Sequence, residues 1–207
     1  MNLTSDHRQG IFEQLARHEH AWGMQTAVPE TLRTPPERLR AFRSFIASTP
    51  HCFERSWTAG HVTGSALPLS SDLQRVLLTH HRKLGKWLQL GGHADGDPDA
   101  AAVAMKEAEE ESGMTGLSFW RTEPFDLDHH EIPATVKEPA HIHWDVRYVL
   151  VAPPGAAPVL SEESMDLRWF TLAEARRVTD EPSMRRQFDK IEWLRGLPQR
   201  KERSIAP

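Results

Sequence analysis

The chain has 207 residues, with 29 acidic side chains against 25 Lys and Arg and a hydrophobic fraction of 39%, which suits one domain of ordinary size with an extension. A formal net charge of -4 supplies no broad basic field, so neither a nucleic acid nor an anionic membrane is expected as a partner. The single cysteine, Cys52, excludes an internal disulfide framework, and the polar stretch 1–20 and the lack of a long uncharged run leave no signal core or membrane span, so the expectation is a cytoplasmic protein.

Residues 1–56 read as a helical N-terminal extension. Ile11, Phe12, Leu15 and Ala16 form a short apolar stripe at helical spacing, and Pro35–Pro36 opens a second helix whose Leu39, Phe42, Phe45 and Ile46 recur on one face. Gly23–Pro36, with three prolines and no periodicity, reads as the connection. Alone this segment has too small a core, so it is expected to pack on the main domain, residues 57–197, covering one edge of its sheet, with shaping of the substrate site as the alternative.

Short strands are expected in that domain at His61–Leu69, Gln74–His80 and Lys86–Leu90. Gly91–Gly92 and a loop follow, and Asp97–Pro98 reads as an N-cap with Pro at the first helical position. The helix is expected to run from Pro98 to about Ser112 and to stop at Gly113 in a left-handed C-cap. Further strands are expected at Leu117–Arg121, Asp126–Glu131, His141–Ala152 and Leu167–Phe170, then helices at Leu172–Arg177 and Pro182–Leu194 and a tail at 198–207. Strands and helices interleave without regular alternation, which predicts an α+β fold with a mixed sheet between helices.

The helix after the glycines carries the chemistry. Glu107, Glu110 and Glu111 stand at i, i+3 and i+4, so their carboxylates converge on one patch, while Ala101, Ala104, Met105 and Ala108 form the neighbouring apolar face. Three like charges near a helix C-terminus repel one another and oppose the macrodipole, so a cation between them is expected. Mg²⁺ or Mn²⁺ takes oxygen ligands and bridges to phosphate oxygens, which points to phosphate chemistry. For a glutamate run alone, a solvated acidic face remains the alternative.

The surrounding residues decide between them. Gly92-x5-Pro98-x7-Lys106-Glu107-Ala108-x-Glu110-Glu111-x-Gly113-Met114 resembles the Nudix box, G-x5-E-x7-R-E-U-x-E-E-x-G-U, where U is aliphatic. Pro98 replaces the first Glu of that pattern and Lys106 the Arg; the lysine keeps the charge but gives up the planar fork. The resemblance implies a Nudix-type α/β/α sandwich that hydrolyses a nucleoside diphosphate linked to another group. It also implies Mg²⁺ or Mn²⁺ on Glu107, Glu110 and Glu111, Lys106 beside them, and Gly92 and Gly113 as structural positions. The general base in such proteins is a box glutamate or a later loop acid, for which Glu162 and Glu163 are the candidates; a pair of exposed loop carboxylates is the plainer reading. The resemblance leaves two further readings: an isomerase of an isoprenoid diphosphate, which Cys52 lies too far upstream to serve, and a ligand sensor without catalysis, against which the three retained acids speak. A nucleotide-like small molecule is the expected partner, and a homodimer the commonest assembly.

The chain holds 12 His against one Tyr, and their placement asks for an explanation. In His141-Ile142-His143-Trp144-Asp145-Val146-Arg147-Tyr148, strict alternation sets His141, His143, Asp145 and Arg147 on one strand face. His93, directly after Gly91–Gly92, is expected near the box. His93, His141, His143 and Asp145 form a candidate second site, whether for metal, for substrate phosphate or as a buried hydrogen-bonded network. His80–His81 and Asp128-His129-His130 are expected at strand ends or loops, facing solvent. Trp57, Trp87, Trp120 and Trp144 are core candidates, any of which has the face to stack on a base.

Overall fold

A computed structural model of the protein describes residues 6–135, 139–162 and 164–197. The elements in chain order are α1 (Gln9–His18), a π-helical turn (Glu19–Met24), a 3-10 turn (Glu30–Leu32) and α2 (Pro36–Ser48), followed by the sheet strands β1 (Gly60–Leu69), β2 (Arg75–His81), β3 (Lys86–Leu88) and β4 (Leu90–His93). Helix α3 (Ala100–Ser112), strands β5 (Ser118–Phe119), β6 (Asp126–Ile132), β7 (His141–Val151) and β8 (Ser164–Thr171), and helices α4 (Leu172–Val178) and α5 (Pro182–Gly196) complete the fold. The 198–207 tail and Glu163 lie outside the described residues. Among the described residues, no helix is long and apolar enough to cross a membrane.

One mixed sheet holds all eight strands. Its centre is the parallel pair β1–β7, in register from Gly60 opposite Ile142 to Leu69 opposite Val151. β4 runs antiparallel to β1 with His93 opposite Thr63 and Gly92 opposite Gly64, and β6 runs antiparallel to β7. Because side chains alternate along a strand, the central strands feed two cores. Val62, Ala66, Val146 and Tyr148 pack with Ile11, Leu15, Phe42 and Ile46 of the first two helices and with Val103, Ala104 and Ala108 of α3. Leu67, Leu69 and Val149 pack on the other side with Trp22, Leu172, Met184, Phe188 and Ile191. Helices therefore cover both faces, as the α+β sandwich requires.

Several boundaries differ from expectation. The presumed connection Gly23–Pro36 carries the end of the π turn and the 3-10 turn, with Leu32 buried and Thr34 N–H bonded to the Trp22 carbonyl. The run expected as one strand to Leu90 splits, and β4 carries Gly91 and Gly92 into the sheet. β8 begins at Ser164 rather than Leu167. Helix α3 starts two residues later than expected: Asp99 is the cap, its Oδ1 accepting from the Ala101 and Ala102 amides at 3.0 and 3.3 Å, while Asp97 accepts from the Asp99 amide. An Asp one residue before the first helical turn reaches two free amides at once, which Asp97 is too distant to do. Asp128, His129 and His130 lie within β6 rather than in a loop, and Asp128 is half-buried against arginines. His80 stacks on Trp87 across the β2–β3 pair instead of facing solvent alone.

Candidate active site

Helix α3 sits close to the sheet because glycine faces it twice. A Cβ on Gly64 would lie 2.8 Å from Val103 Cβ and 2.7 Å from the Ala100 carbonyl oxygen, and a Cβ on Gly92, its partner across β1–β4, would lie 2.5 Å from the Glu107 carboxyl group. The Glu107 carboxylate thus occupies the slot that the missing side chain leaves. One turn on, Glu111 Oε1 accepts from the Gly91 amide at 3.1 Å. Glu110 is more exposed, and Lys106 Nζ lies 3.6 Å from its carboxylate and 3.8 Å from that of Glu107. The helix ends at Gly113, whose φ of +63° is left-handed and whose amide bonds the Glu109 carbonyl at 2.8 Å. The structure therefore brings Glu107, Glu110 and Glu111 to the β4–α3 junction with Lys106 spanning two of them. Glu162 is exposed, and its carbonyl accepts from Arg82 Nε at 2.9 Å; no described contact joins its carboxylate to α3.

The histidines gather on the other face of the sheet. His61 stands opposite His143 on the β1–β7 pair, on the side that carries Leu67 and Val149 further along, and His93 stands opposite Thr63 on that same side. One ring nitrogen each of His61, His93 and His143 lies within 4.8 Å of the other two. His141 Nε2 is 3.2 Å from His143 Nε2, and His141 Nδ1 is 2.9 Å from the Pro139 carbonyl oxygen. Burial, then the neighbouring His93, holds the His61 imidazole down at about 4; burial, then His93 and His61, holds His143 down at about 2. Both rings are neutral near pH 7 and keep a lone pair for a ligand.

Sequence reasoning missed His61. It sits in a β1 run that is buried at every position, so no alternation marks its face; only the register of a parallel pair, distant in the chain, shows it beside His143. Asp145, expected with the histidines, is not among them. Its Oδ1 accepts from Thr63 Oγ1 at 2.9 Å and Ser65 Oγ at 2.7 Å, and its Oδ2 accepts from Gln89 Nε2 at 3.0 Å and Arg147 Nε at 2.6 Å. Period two aligns it with His143, but the next pleat along the strand opposes it to Thr63 rather than to a histidine.

Beyond Asp145 the same face becomes ionic. Arg147 bridges Asp145 and Asp128, Arg186 of α5 chelates Asp126 through two nitrogens and reaches Asp128 at 3.1 Å, and the fully buried Lys190 donates to Asp126 Oδ1 at 2.8 Å and to the Phe125 carbonyl at 2.9 Å. Burial pushes the Asp126 carboxyl up, but Lys190 and Arg186 outweigh it and hold the group ionised. These charges fasten α5 to the sheet. Of the four candidate stacking tryptophans, Trp144 is buried between Phe45 and His129, Trp87 and Trp120 are half-buried, and Trp57 remains exposed.

No curated protein matches the chain. Among solved structures, a NUDIX-family hydrolase from Clostridium perfringens is 21% identical, with a TM-score of 0.50 over 65% of this chain and 97% of that one. A MutT protein from Methanosarcina mazei Go1 is 19% identical, with a TM-score of 0.50 over 68% and 99%. The dihydroneopterin triphosphate pyrophosphohydrolase of E. coli is 18% identical, with the same TM-score over 62% and 92%. These likenesses concern the fold, but the NUDIX domain family model matches residues 61–191, a span that contains β7, all of β1 but its first residue, the glycine pair and the glutamate helix. The chain belongs to the Nudix hydrolase family.

Proposed function

We propose that the protein hydrolyses the diphosphate linkage of a nucleoside diphosphate joined to another group, with Mg²⁺ or Mn²⁺ held by Glu107, Glu110 and Glu111. The observation that carries the reading is the Glu107 carboxylate lodged in the slot at Gly92, with Glu111 on the adjacent Gly91 amide. A donor set made only of carboxylate oxygens fits a hard divalent cation. A divalent cation held there would supply charge neutralisation for the diphosphate and a lowered pKa for the attacking water. The chain's own part is to hold Glu107 and Glu111 in fixed directions against β4 while Lys106 offsets the repulsion within the patch. A carboxylate of the patch takes the proton of the attacking water; Glu162 and Glu163, the loop alternatives, are tested by substituting each. The retained acids favour catalysis over a ligand-sensing role.

The test is a panel of nucleoside diphosphate derivatives incubated with the protein and Mg²⁺ or Mn²⁺, with phosphate counted after coupling to alkaline phosphatase. The expected result is release that requires the metal and stops on chelation. Release from no member of the panel with either metal, by folded protein, would defeat the reading.

A further inference from the structure

We propose that His61, His93 and His143 bind a single divalent transition-metal ion of the zinc class, in a centre on the sheet face opposite the glutamate helix. Three observations carry this. The three rings come from three neighbouring strands, β1, β4 and β7, and one nitrogen from each lies within 4.8 Å of the others. A tetrahedral ion with bonds of about 2.0 Å sets such nitrogens about 3.3 Å apart, so each pair has at most about 1.5 Å to close. His61 is 2% exposed, and neither of its ring nitrogens has a hydrogen-bond partner of good geometry among the described residues; the Trp57 carbonyl, which accepts from the Gly60 amide at 3.2 Å, acts on the ring from nearby but can serve at most one of its two nitrogens. A buried imidazole nitrogen left without a partner costs stability unless something binds it. Finally, His143 is oriented from outside the trio. With its Nδ1–H given to the Pro139 carbonyl, His141 turns the Nε2 lone pair toward His143 Nε2, 3.2 Å away. That is the kind of outer contact that fixes a ligating histidine.

The donor sets separate the two centres chemically. Imidazole nitrogen suits zinc, cobalt or nickel, whereas oxygen-only ligands suit magnesium. Gly92 and His93 are adjacent, but alternation turns Gly92 toward α3 and His93 away from it. Three nitrogen ligands leave a fourth position for water or another ligand. An open cleft of about 460 Å³, lined in part by Thr58, His130 and His141, adjoins the cluster.

The whole protein, stripped by chelator and held in excess Mg²⁺ to fill the carboxylates, is titrated with Co²⁺ and then Zn²⁺. One equivalent of Co²⁺ is expected to give the visible d–d absorption of a low-coordinate, nitrogen-rich site, and Zn²⁺ is expected to displace it. His93→Gln and His143→Gln, each checked for folding by circular dichroism, are expected to lower Zn²⁺ affinity by about 100-fold or more, while Glu110→Gln leaves it unchanged. The proposal is overturned if wild-type protein takes up no cobalt beyond a pale octahedral signal, or if folded histidine variants bind as the wild type does. Loss in Glu110→Gln with retention in the histidine variants would place the ion at the carboxylates instead. None of these outcomes depends on turnover, so the hydrolase reading stands or falls separately.

Discussion

At the scale of single residues, the glutamate patch separates activity from stability. Glu111→Gln keeps shape and the acceptor for the Gly91 amide but removes a charge from a repelling set, so the melting temperature is expected to hold or rise while metal-dependent turnover is lost. Comparing thermal melts with rates at saturating Mg²⁺ checks this, and a variant that unfolds or retains full rate would show the patch to be structural. Gly92→Ala makes the complementary point. Its methyl group would meet the Glu107 carboxyl group at 2.5 Å, so either the carboxylate leaves its slot or β4 shifts. Turnover is expected to fall by at least about tenfold, since misplacing a positioned group by about 1 Å costs rate steeply. The assay is kcat in the same coupled measurement, and a wild-type value would mean that the slot does not position Glu107. The convergence of the three acids was legible because helix spacing sets it without any knowledge of the fold, but their chemical reading came from the resemblance of the surrounding residues to the Nudix box. His61 was not, because its partners lie on strands that neither precede nor follow it closely.

At the scale of elements, what could be read depended on whether the signal was local. Helix α3 announced its glutamate face and its Gly113 stop, while its true start depends on Asp99, which also accepts from Gln14 Nε2 at 2.7 Å and so ties the helix to α1. That second bond is invisible in a sequence, since the two residues meet only through tertiary packing. Asp99→Ala removes the cap and the tie together and is expected to cost about 1–2 kcal/mol, measured as a shift in the denaturant midpoint; no shift would mean that water replaces both. The alternation of β7 separates Trp144, Val146 and Tyr148 from the face of His143 and Asp145, and all three are buried, yet it could not say which strand faces Asp145. Helix α2 buries Phe42 completely, edge-on to Trp144 at 5.1 Å between centroids. Phe42→Ala is expected to destabilise the whole protein by about 3–5 kcal/mol in one transition. A separate early melt would show instead that the extension unfolds by itself.

At the scale of the molecule, buried histidines couple the fold to pH, and His18 does so away from the His61, His93 and His143 cluster. His18 is fully buried between the Pro124 carbonyl and Thr34 Oγ1, 2.7 Å from each, and burial, then Lys190, lowers its pKa to about 3. The unfolded chain protonates this group near pH 6.5 and the folded one does not, so between those values the unfolded state binds more protons and stability rises with pH. Acidification from pH 7 therefore removes stability, at up to about 1.4 kcal/mol per pH unit for this residue. Asp128, which burial raises but His130 and Arg147 bring down to about 2, adds the same sign lower down: its contribution is present above the ordinary carboxylate pKa and lost as the pH falls through about 2. His18→Gln is expected to melt lower at pH 7 and to lose roughly one proton's worth of pH dependence between pH 6 and 4. Unchanged slopes in paired denaturant titrations would mean that His18 titrates alike in both states.

The clasp between the two ends of the fold has a consequence for how the chain is made. Trp22 rests under Lys190 Nζ, 4.3 Å from its ring centroid, and edge-on to Phe125 and Trp193. The segment that leaves the ribosome early thus has its seat completed by a helix that leaves only after every strand of the sheet. Until α5 emerges, Trp22 lacks the Lys190 and Trp193 contacts that complete its seat, so the N-terminal extension cannot be fully packed before that helix is made.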